Sequence, residues 1–273
     1  MLNRERYLID RLNSNYIGDD GAVIGDTIYS MDGFFEGVHF KREWMSLAQI
    51  ARKAMLINIS DAIAMNAKPK YALVTLSIPK DFTKKEIDEV LISLQNTAEE
   101  FRCEIIGGDT LISDILSFSI TVISISKNPL TRSGLKVGDY LAYTGELGES
   151  RRDLKRLFRG EKIGNSSKFL EPKLRGEFIY RSRAFLSVGM DISDGLFCDT
   201  NKLLEYNNLG FIELIKIDNE VGRSGEEYEM LIGFREENRE KIEEIADSLN
   251  LKLTIFGKIA DNKNRFNCID HHQ

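Results

Sequence analysis

Several aspartates of this sequence stand where secondary structure alone would not place a charge. They follow glycines, end apolar stretches or precede a helix, and they are Asp19, Asp20, Asp32, Asp61, Asp109, Asp191 and Asp194. Asp61 is the most informative of them, because it lies 11 and 7 residues after Ile50 and Ala54 and so shares their face of a helix. A carboxylate on an apolar face needs a partner or a metal ion.

Taken one at a time, these residues have ordinary structural interpretations. Asp19-Asp20-Gly21 is typical of a turn, Asp194 of a helix cap, and Asp61 of a carboxylate paired with Lys or Arg. Gly107-Gly108 is typical of a tight hairpin turn. Together, carboxylates converging on one site would repel one another unless cations neutralised them, and Mg²⁺ joins carboxylates to substrate phosphates. The set therefore indicates metal-assisted phosphoryl transfer.

The familiar phosphate-binding motifs are absent from the sequence. There is no Gly-x-x-x-x-Gly-Lys-[Ser/Thr] loop, no His-Arg-Asp loop followed by Asp-Phe-Gly, and no Gly-x-Gly-x-x-Gly after a strand. The formal net charge of -6 excludes a global positive field that would attract nucleic acid. Phosphoryl transfer must therefore use another architecture.

The bulk features predict a soluble chain of two domains. Its 273 residues, 42% of them hydrophobic, suffice for two modest cores. The first ten residues are charged rather than apolar, and no run of about 18 apolar residues occurs. Cys103, Cys198 and Cys268 do not suit a disulfide framework, so we interpret them as ordinary buried thiols of a cytoplasmic protein.

The elements that must position the aspartates follow from periodicity and caps. In the first half, residues 46–66 predict a helix that Pro69 ends, and Thr83 with Glu86 forms a capping box for a second helix reaching Phe101. Strands are predicted at 27–31, leading into Asp32, at 71–78, at 104–106, ending at the glycine pair, and at 118–125, as the antiparallel partner of the third.

A linker in residues 128–134 suggests a domain boundary at Arg132. It divides the chain into an N-terminal βαβαββ-type half, residues 1–132, and an α+β C-terminal half, residues 133–273. For the second half we predict strands at 137–143, 210–215, 228–234 and 251–256, and helices at 149–159, 172–186, 196–206 and 237–249.

An ordered series of motifs extends from residue 17 to about residue 234. The motifs are Ile17-Gly18-Asp19-Asp20-Gly21-Ala22-Val23, Asp32-Gly33-Phe34-Phe35-Glu36-Gly37-Val38-His39-Phe40, Asn58-Ile59-Ser60-Asp61-Ala62-Ile63-Ala64-Met65, Ile106-Gly107-Gly108-Asp109-Thr110, Arg132-Ser133-Gly134, Asp191-Ile192-Ser193-Asp194-Gly195-Leu196 and Gly225-Glu226-Glu227-Tyr228-Glu229. This series resembles the thiamine-monophosphate kinase family. Any one motif is weak, whereas their number and order are specific.

The resemblance implies a two-domain α/β (α+β) fold like that of aminoimidazole ribonucleotide synthetase, and a homodimer formed through the N-terminal half. It implies that ATP phosphorylates thiamine monophosphate directly to thiamine diphosphate, with several Mg²⁺ ions. By position, the implied metal ligands are Asp20, Ser30, Asp32, Asp61, Asp109, Asp191 and Asp194, of which Asp20, Asp32, Asp109 and Asp194 are also assigned to catalysis. The implied nucleotide contacts are Gly108, Asp109, Arg132 and Ser193, and the implied acceptor contacts are His39 and Glu226.

Three positions depart from the pattern of the resemblance. Met31 stands where the family usually has Thr, the 215–225 segment is shorter than usual, and the tail 261–273 lacks the family's usual aromatic ending, which leaves Phe266 as the candidate ring to stack on thiamine. Two alternatives remain open: another ATP-using enzyme of the same superfamily with a different acceptor, and a non-catalytic nucleotide-binding scaffold.

Overall fold

The structure, a computed structural model, describes residues 4–9, 11–12 and 14–268. Parts of the charged N-terminus (1–10) and of the tail after residue 261 therefore lie outside the described residues. The helices are α1 (Arg4–Ile9), α2 (Leu47–Ala64), α3 (Lys84–Glu100), α4 (Glu149–Phe158), α5 (Gly176–Ser182), α6 (Leu196–Tyr206), α7 (Asn219–Gly222) and α8 (Arg239–Ser248). The strands are β1 (Ala22–Ile24), β2 (Thr27–Phe35), β3 (Lys68–Pro79), β4 (Glu104–Ser113), β5 (Ser117–Ile125), β6 (Tyr140–Thr144), β7 (Leu186–Asp191), β8 (Gly210–Glu213), β9 (Met230–Phe234) and β10 (Leu253–Ala260).

The first sheet has the order β1-β2-β5-β3-β4, so β4 is an edge strand. β5 lies antiparallel between β2 and β3, whereas β4 pairs with β3 in parallel. The prediction that β5 is the partner of β4 was therefore wrong. β2 was also predicted too short, since it continues through Asp32 to Phe35.

The glycine pair lies inside β4, where a turn was expected. The β3–β4 register shifts between Ala72 and Leu73, so Ile106 is the bulged residue just before Gly107. Gly108 has φ +150°, and a Cβ there would lie 1.8 Å from the carbonyl oxygen of Val74. A close backbone approach between two strands therefore requires this glycine.

The central helix of the fold is α2, which begins at the Ser46 cap with a capping box to Gln49. It packs against strands of both sheets, among them β2, β5 and β7, and against α3 and α5. Ala54, Met55 and Ile59 are all fully buried, so the helix is covered on more than the one face that periodicity predicted. The second capping box, Thr83 with Glu86 on α3, is confirmed.

The second sheet is antiparallel throughout, with the order β7-β9-β6-β10-β8. Helices α4 and α6 match their predictions closely. The predicted helix at 172–186 was too long, because only Gly176–Ser182 is α-helical and the chain enters β7 at Leu186. Strand β7 was missed, since its Ser, Gly and Asp residues hide the strand pattern.

A single apolar cluster joins the two sheets. Ile28 and Phe118 from the first sheet and Phe234 from the second belong to the cluster that surrounds α2. The proposed division at Arg132 lies in the connection between β5 and β6 and stays a prediction. Within the described residues, no helix is long and apolar enough to cross a membrane.

Two of the three cysteines are paired. Cys198 on α6 forms a disulfide with Cys268 in the tail, and Cys103 is a buried free thiol. The interpretation as ordinary buried thiols is therefore confirmed for Cys103 and wrong for Cys198 and Cys268, because residues 70 positions apart in the chain meet only in the folded state. The tail is also held by two hydrogen bonds of 2.9 Å between Asn201 and the backbone of Phe266.

Candidate functional site

The site begins where β2 crosses α2. Ser30 and Asp32 alternate with exposed residues and share the face of β2 that packs against the helix. The amide of Asp32 donates to Asn58 Oδ1 at 2.8 Å, which fixes this point of the strand to α2. Ser30 is buried, and its Oγ has no hydrogen-bond partner among the described residues. Two oxygen donors of one strand therefore face the helix that carries Asp61.

The end of β7 brings a further carboxylate from the second sheet. Ser60 Oγ donates to Asp191 Oδ2 at 2.6 Å, so α2 and β7 are joined directly at the site. Burial and the nearby Asp20 raise the pKa of Asp191 well above its usual range, while the Ser60 hydrogen bond acts in the opposite sense. Burial, Asp32 and Asp191 raise the pKa of Asp61 in the same way. Four predicted ligands, Asp20, Asp32, Asp61 and Asp191, are thus close enough to repel one another.

Arg132 lies at the edge of this group. Its guanidinium pairs with Asp20, and its backbone amide donates to Asp19 Oδ1 at 2.6 Å. Burial opposes the charge of Arg132, yet Asp20 holds the pKa of the guanidinium above its ordinary value. The Nε atom is buried without a hydrogen-bond partner in the described part of the chain. That donor suits an incoming anion such as a phosphate oxygen.

Asn207, which the sequence did not single out, holds the segment that carries Arg132. Its Oδ1 accepts from the amides of Gly134 and Leu135 at 2.9 and 3.1 Å, and its Nδ2 donates to the Arg132 carbonyl at 2.7 Å. Asn207 is the C-cap of α6, so the linker is tied to the second sheet's helix layer. A residue at the end of a helix carries no sequence signal for such a role.

Asp194 is partly neutralised by the chain itself. Lys202 on α6 forms an ion pair with Asp194 and a second one, at 3.3 Å, with the fully buried Asp199. Burial raises the pKa of the Asp199 carboxyl to about 7, although Lys202 works in the opposite direction. Sequence reasoning missed both Asp199 and Lys202, whose spacing on a helix resembles an ordinary surface pair.

Two backbone loops interlock beside Asp194. The amide of Glu226 donates to the Ser193 carbonyl at 2.7 Å, and the amide of Tyr228 donates to that of Ile192 at 2.9 Å. Glu226 and Tyr228 both have positive φ, 55° and 51°, which L residues rarely adopt. Ser193, assigned to the nucleotide, and Glu226, assigned to the acceptor, are therefore held by the same pair of loops.

His39 lies in the loop after β2. Its Nδ1 accepts from the amide of Phe35 at 2.9 Å, so a neutral ring carries its proton on Nε2. The ring stacks on Phe34, with centroids 5.7 Å apart. Phe266, by contrast, stacks on Phe197 at 4.2 Å within the second apolar cluster, so its ring is already used in packing.

Within one chain, Asp109 lies apart from Asp32. In the sheet, Asp109 shares a row with Thr75 of β3, Ser119 of β5 and Gly33 of β2. Asp32 lies in the next row and points to the opposite face. Three strand spacings separate β2 from β4, a distance of about 14 Å along the sheet. Gly108 and Asp109 instead border a cavity of about 890 Å³ between α3 and β4.

Among residues 4–9, 11–12 and 14–268, no three His, Cys, Asp or Glu side chains already stand in a geometry that could hold a metal ion. The carboxylates are gathered, but two of them face cations of the protein, Asp20 with Arg132 and Asp194 with Lys202. The donors are hard oxygens, which Mg²⁺ prefers, and the mutual repulsion of Asp61 and Asp191 favours a bound cation. The donor set therefore fits divalent metal ions once side chains adjust.

Comparison with known proteins gives consistent similarities. Residues 18–126 match the family described as AIR synthase related protein, N-terminal domain. The chain is 34% identical to the thiamine-monophosphate kinase of Leptospira interrogans over 237 residues, covering 79% of this chain and 76% of that protein. It is 29% identical to that of Aquifex aeolicus over 230 residues, covering 80% and 75%. The solved structure of AaThiL complexed with AMPPCP and TMP has a TM-score of 0.84 at 23% identity, covering 97% of this chain and 94% of that chain. The expected α/β fold of the aminoimidazole ribonucleotide synthetase type is thereby confirmed.

Proposed function

The chain belongs to the thiamine-monophosphate kinase family, and we propose that it transfers the terminal phosphate of ATP to thiamine monophosphate, forming thiamine diphosphate. The observation that carries this proposal is the convergence of Asp20, Asp32, Asp61 and Asp191 from separate segments at the junction of the two sheets. An anionic pocket of this kind binds an anionic nucleotide only with cations between them. The AMPPCP complex of the structural relative agrees with an ATP site in this fold.

Arg132 is the candidate hydrogen-bond donor for the phosphate oxygens of ATP. Arg132 is fixed by Asp19, Asp20 and Asn207, and its buried Nε, which has no hydrogen-bond partner among the described residues, would donate to a phosphate oxygen. Ser193 lies in the loop that precedes α6 and would add a hydroxyl donor. These contacts would orient the triphosphate rather than react with it, which is how phosphoryl transfer is usually accelerated.

Several Mg²⁺ ions would be held by Asp20, Asp32, Asp61, Asp191 and Asp194, with Ser30 as an additional oxygen donor. Bound there, the metal supplies neutralisation of the charge that spreads over the transferred phosphoryl group. No general base is needed, because the acceptor phosphate oxygen is already anionic at neutral pH. We also expect in-line transfer, to which the protein contributes the position of the two substrates and the neutralising charge.

The acceptor would lie between His39 and Glu226. His39 offers an Nε2 proton next to the Phe34 ring, and Glu226 offers a carboxylate whose side chain is 26% exposed. Thiamine monophosphate carries an amine and a positive ring, both of which suit a carboxylate. These roles stay proposals that substitution can test.

A homodimer through the first sheet would explain the position of Asp109. Every residue of β4 except Ser113 is exposed, including Ile106, Leu111 and Ile112, and Met31 on β2 is 65% exposed. A sheet edge and face with several exposed apolar side chains is typical of an interface. If two copies pack there, Asp109 of each chain would reach the site of the other.

A coupled assay of ATP consumption tests the activity. Turnover is expected with thiamine monophosphate and Mg²⁺, and only background with thiamine or without acceptor. Equal rates in all three would reject the acceptor, and ATP binding without any thiamine diphosphate in the products would favour a non-catalytic scaffold. Asp61→Asn should abolish turnover yet raise the melting temperature of the metal-free protein, because it removes a crowded carboxylate. A lower melting temperature would mean that Asp61 holds the fold.

The cytoplasmic location stays a prediction. Disulfides are rare in reducing compartments, so the Cys198–Cys268 pair gives that prediction a direct check. Trapping the thiols by alkylation in intact cells would show both cysteines reduced if the chain is cytoplasmic.

A further inference from the structure

Lys53 is a buried cation to which the proposed reaction assigns no role. It lies on α2, its side chain is 0% exposed, and its ammonium is 3.9 Å from the centroid of the Phe169 ring and 5.6 Å from that of Phe34. Burying a lysine is costly unless a carboxylate is close. The lysine therefore stays buried because of a specific partner.

That partner is Glu226, whose Oε2 lies 2.9 Å from the Lys53 ammonium. Burial lowers the pKa of Lys53, while Glu226 works in the opposite direction and favours the charged form. The other carboxylate oxygen, Oε1, has no protein partner in the described part of the chain, and the side chain keeps partial exposure. Lys53 thus fixes Oε2 of Glu226, and Oε1 remains available to a ligand.

The backbone of Glu226 is fixed as well. Its amide donates to Ser193, its carbonyl accepts from Ser150 Oγ at 2.8 Å, and its φ of 55° is a conformation that the surrounding bonds must maintain. The loop that carries Glu226 comes from the second half of the chain, whereas Lys53 comes from the first. The ion pair therefore sets the carboxylate relative to the first sheet.

The same lysine also lies near His39, the other residue assigned to the acceptor. The Phe34 ring contacts the Lys53 ammonium and stacks on His39 at 5.7 Å. His39, Phe34, Lys53 and Glu226 consequently form one packed row across the junction of the two sheets. A change at Lys53 would reach both residues assigned to the acceptor, whereas Arg132 is held by Asp20 and Asn207 in other segments.

We infer that Lys53 is a positioning residue for the phosphate acceptor, which it influences by holding the Glu226 carboxylate toward an amine-bearing or cationic substrate. This inference rests on the proposed function. Because Lys53 is fully covered, it acts through Glu226 and does not contact the substrate itself. Its loss should weaken acceptor binding more than nucleotide binding, because Lys53 pairs with the Glu226 side chain, whereas Glu226 contacts Ser193 through backbone atoms.

Steady-state kinetics of Lys53→Met tests the inference. The KM for thiamine monophosphate should rise about tenfold or more, as for loss of a charge-assisted contact, while the KM for ATP stays within about twofold. Lys53→Arg should keep more of the acceptor affinity than Lys53→Met. Lys252→Met, which removes an exposed ion-paired lysine, serves as the matched control and should leave both constants unchanged.

A double-mutant cycle with Glu226→Gln separates positioning from packing. If Lys53 acts through Glu226, the double variant should bind the acceptor no worse than Glu226→Gln alone. Additive losses, or equal increases in both KM values with a lower melting temperature, would overturn the inference. If Lys53→Met does not fold, the cycle is run with Lys53→Arg. Losses of acceptor affinity from Lys53→Arg and Glu226→Gln that simply add would then overturn the inference. Absence of thiamine monophosphate-dependent turnover in the wild type would instead reject the proposed function.

Discussion

Asp109 allows a direct test of where the site is completed. Within one chain it faces the opposite side of the sheet from Asp32 and lies about 14 Å away along it. We predict that Asp109 works in the site of the partner subunit, together with the Asp61 of that subunit. Asp109→Asn and Asp61→Asn should then each be inactive alone, but a dimer that combines the two variants should contain one intact site.

The expected recovery follows from counting sites. When both variants are co-expressed and pair at random, half of the dimers are mixed, and each mixed dimer has one intact site of two. Activity should therefore return to about a quarter of the wild-type value, and to about half in mixed dimers purified with two different tags. Asp61→Asn combined with Asp32→Asn is the matched control, because both residues belong to one chain's site and no pairing restores it.

The assay is thiamine monophosphate-dependent ATP consumption by the doubly tagged dimers. Recovery with Asp109→Asn and none with Asp32→Asn would support a shared site. If both mixed dimers are as inactive as their parents, each site takes Asp109 from its own chain, and β4 must rearrange. Full activity in a protein that stays monomeric would contradict the dimer as well.

Three further predictions concern stability. Gly108→Ala should cost about 3 kcal/mol in urea unfolding, because its Cβ would overlap the Val74 carbonyl, whereas Gly164→Ala, with open space around it, should cost under about 1 kcal/mol; equal costs would contradict the packing argument. Cys268→Ser should lower the free energy of unfolding by up to about 4 kcal/mol in the absence of reductant and by much less in dithiothreitol; identical curves in both would mean that the disulfide does not form. Burial raises the pKa of Tyr180 to about 12, so wild-type stability should fall as pH rises from about 10, where the unfolded tyrosine ionises, through 12. The stability deficit of Tyr180→Phe should therefore shrink over that range, and a constant deficit would show that the ring ionises normally.

Local signals predicted the helices best. The capping box at Thr83 places the start of α3 because a hydroxyl and a carboxylate three residues later satisfy the first amides of a helix. The start of α2 was predicted from periodicity alone, and the structure shows a capping box there as well. β4 was cut short for the opposite reason. Glycine usually indicates a turn, and the need for Gly108 comes from the pairing of β4 with β3, which the sequence does not reveal.

The candidate site divides in the same way. The aspartates could be found because carboxylates on apolar segments are unusual in any fold. Lys53, Asn207 and Ser60 could not be found, because each acts on a residue at least 75 positions away in the chain. Their roles depend on the packing of α2 and α6, and periodicity reports only which face of a helix is apolar.

The position of α2 has a consequence for biosynthesis. By the time residues 1–132 leave the ribosome, the strands of the second sheet that cover this helix have not yet been synthesised. Ile63, which lies beside Gly176 of α5 in the complete fold, would then stand exposed on the nascent chain, and its exposure favours aggregation or chaperone binding. We therefore expect the N-terminal half expressed alone to be insoluble, and the two halves to mature as one cooperative unit.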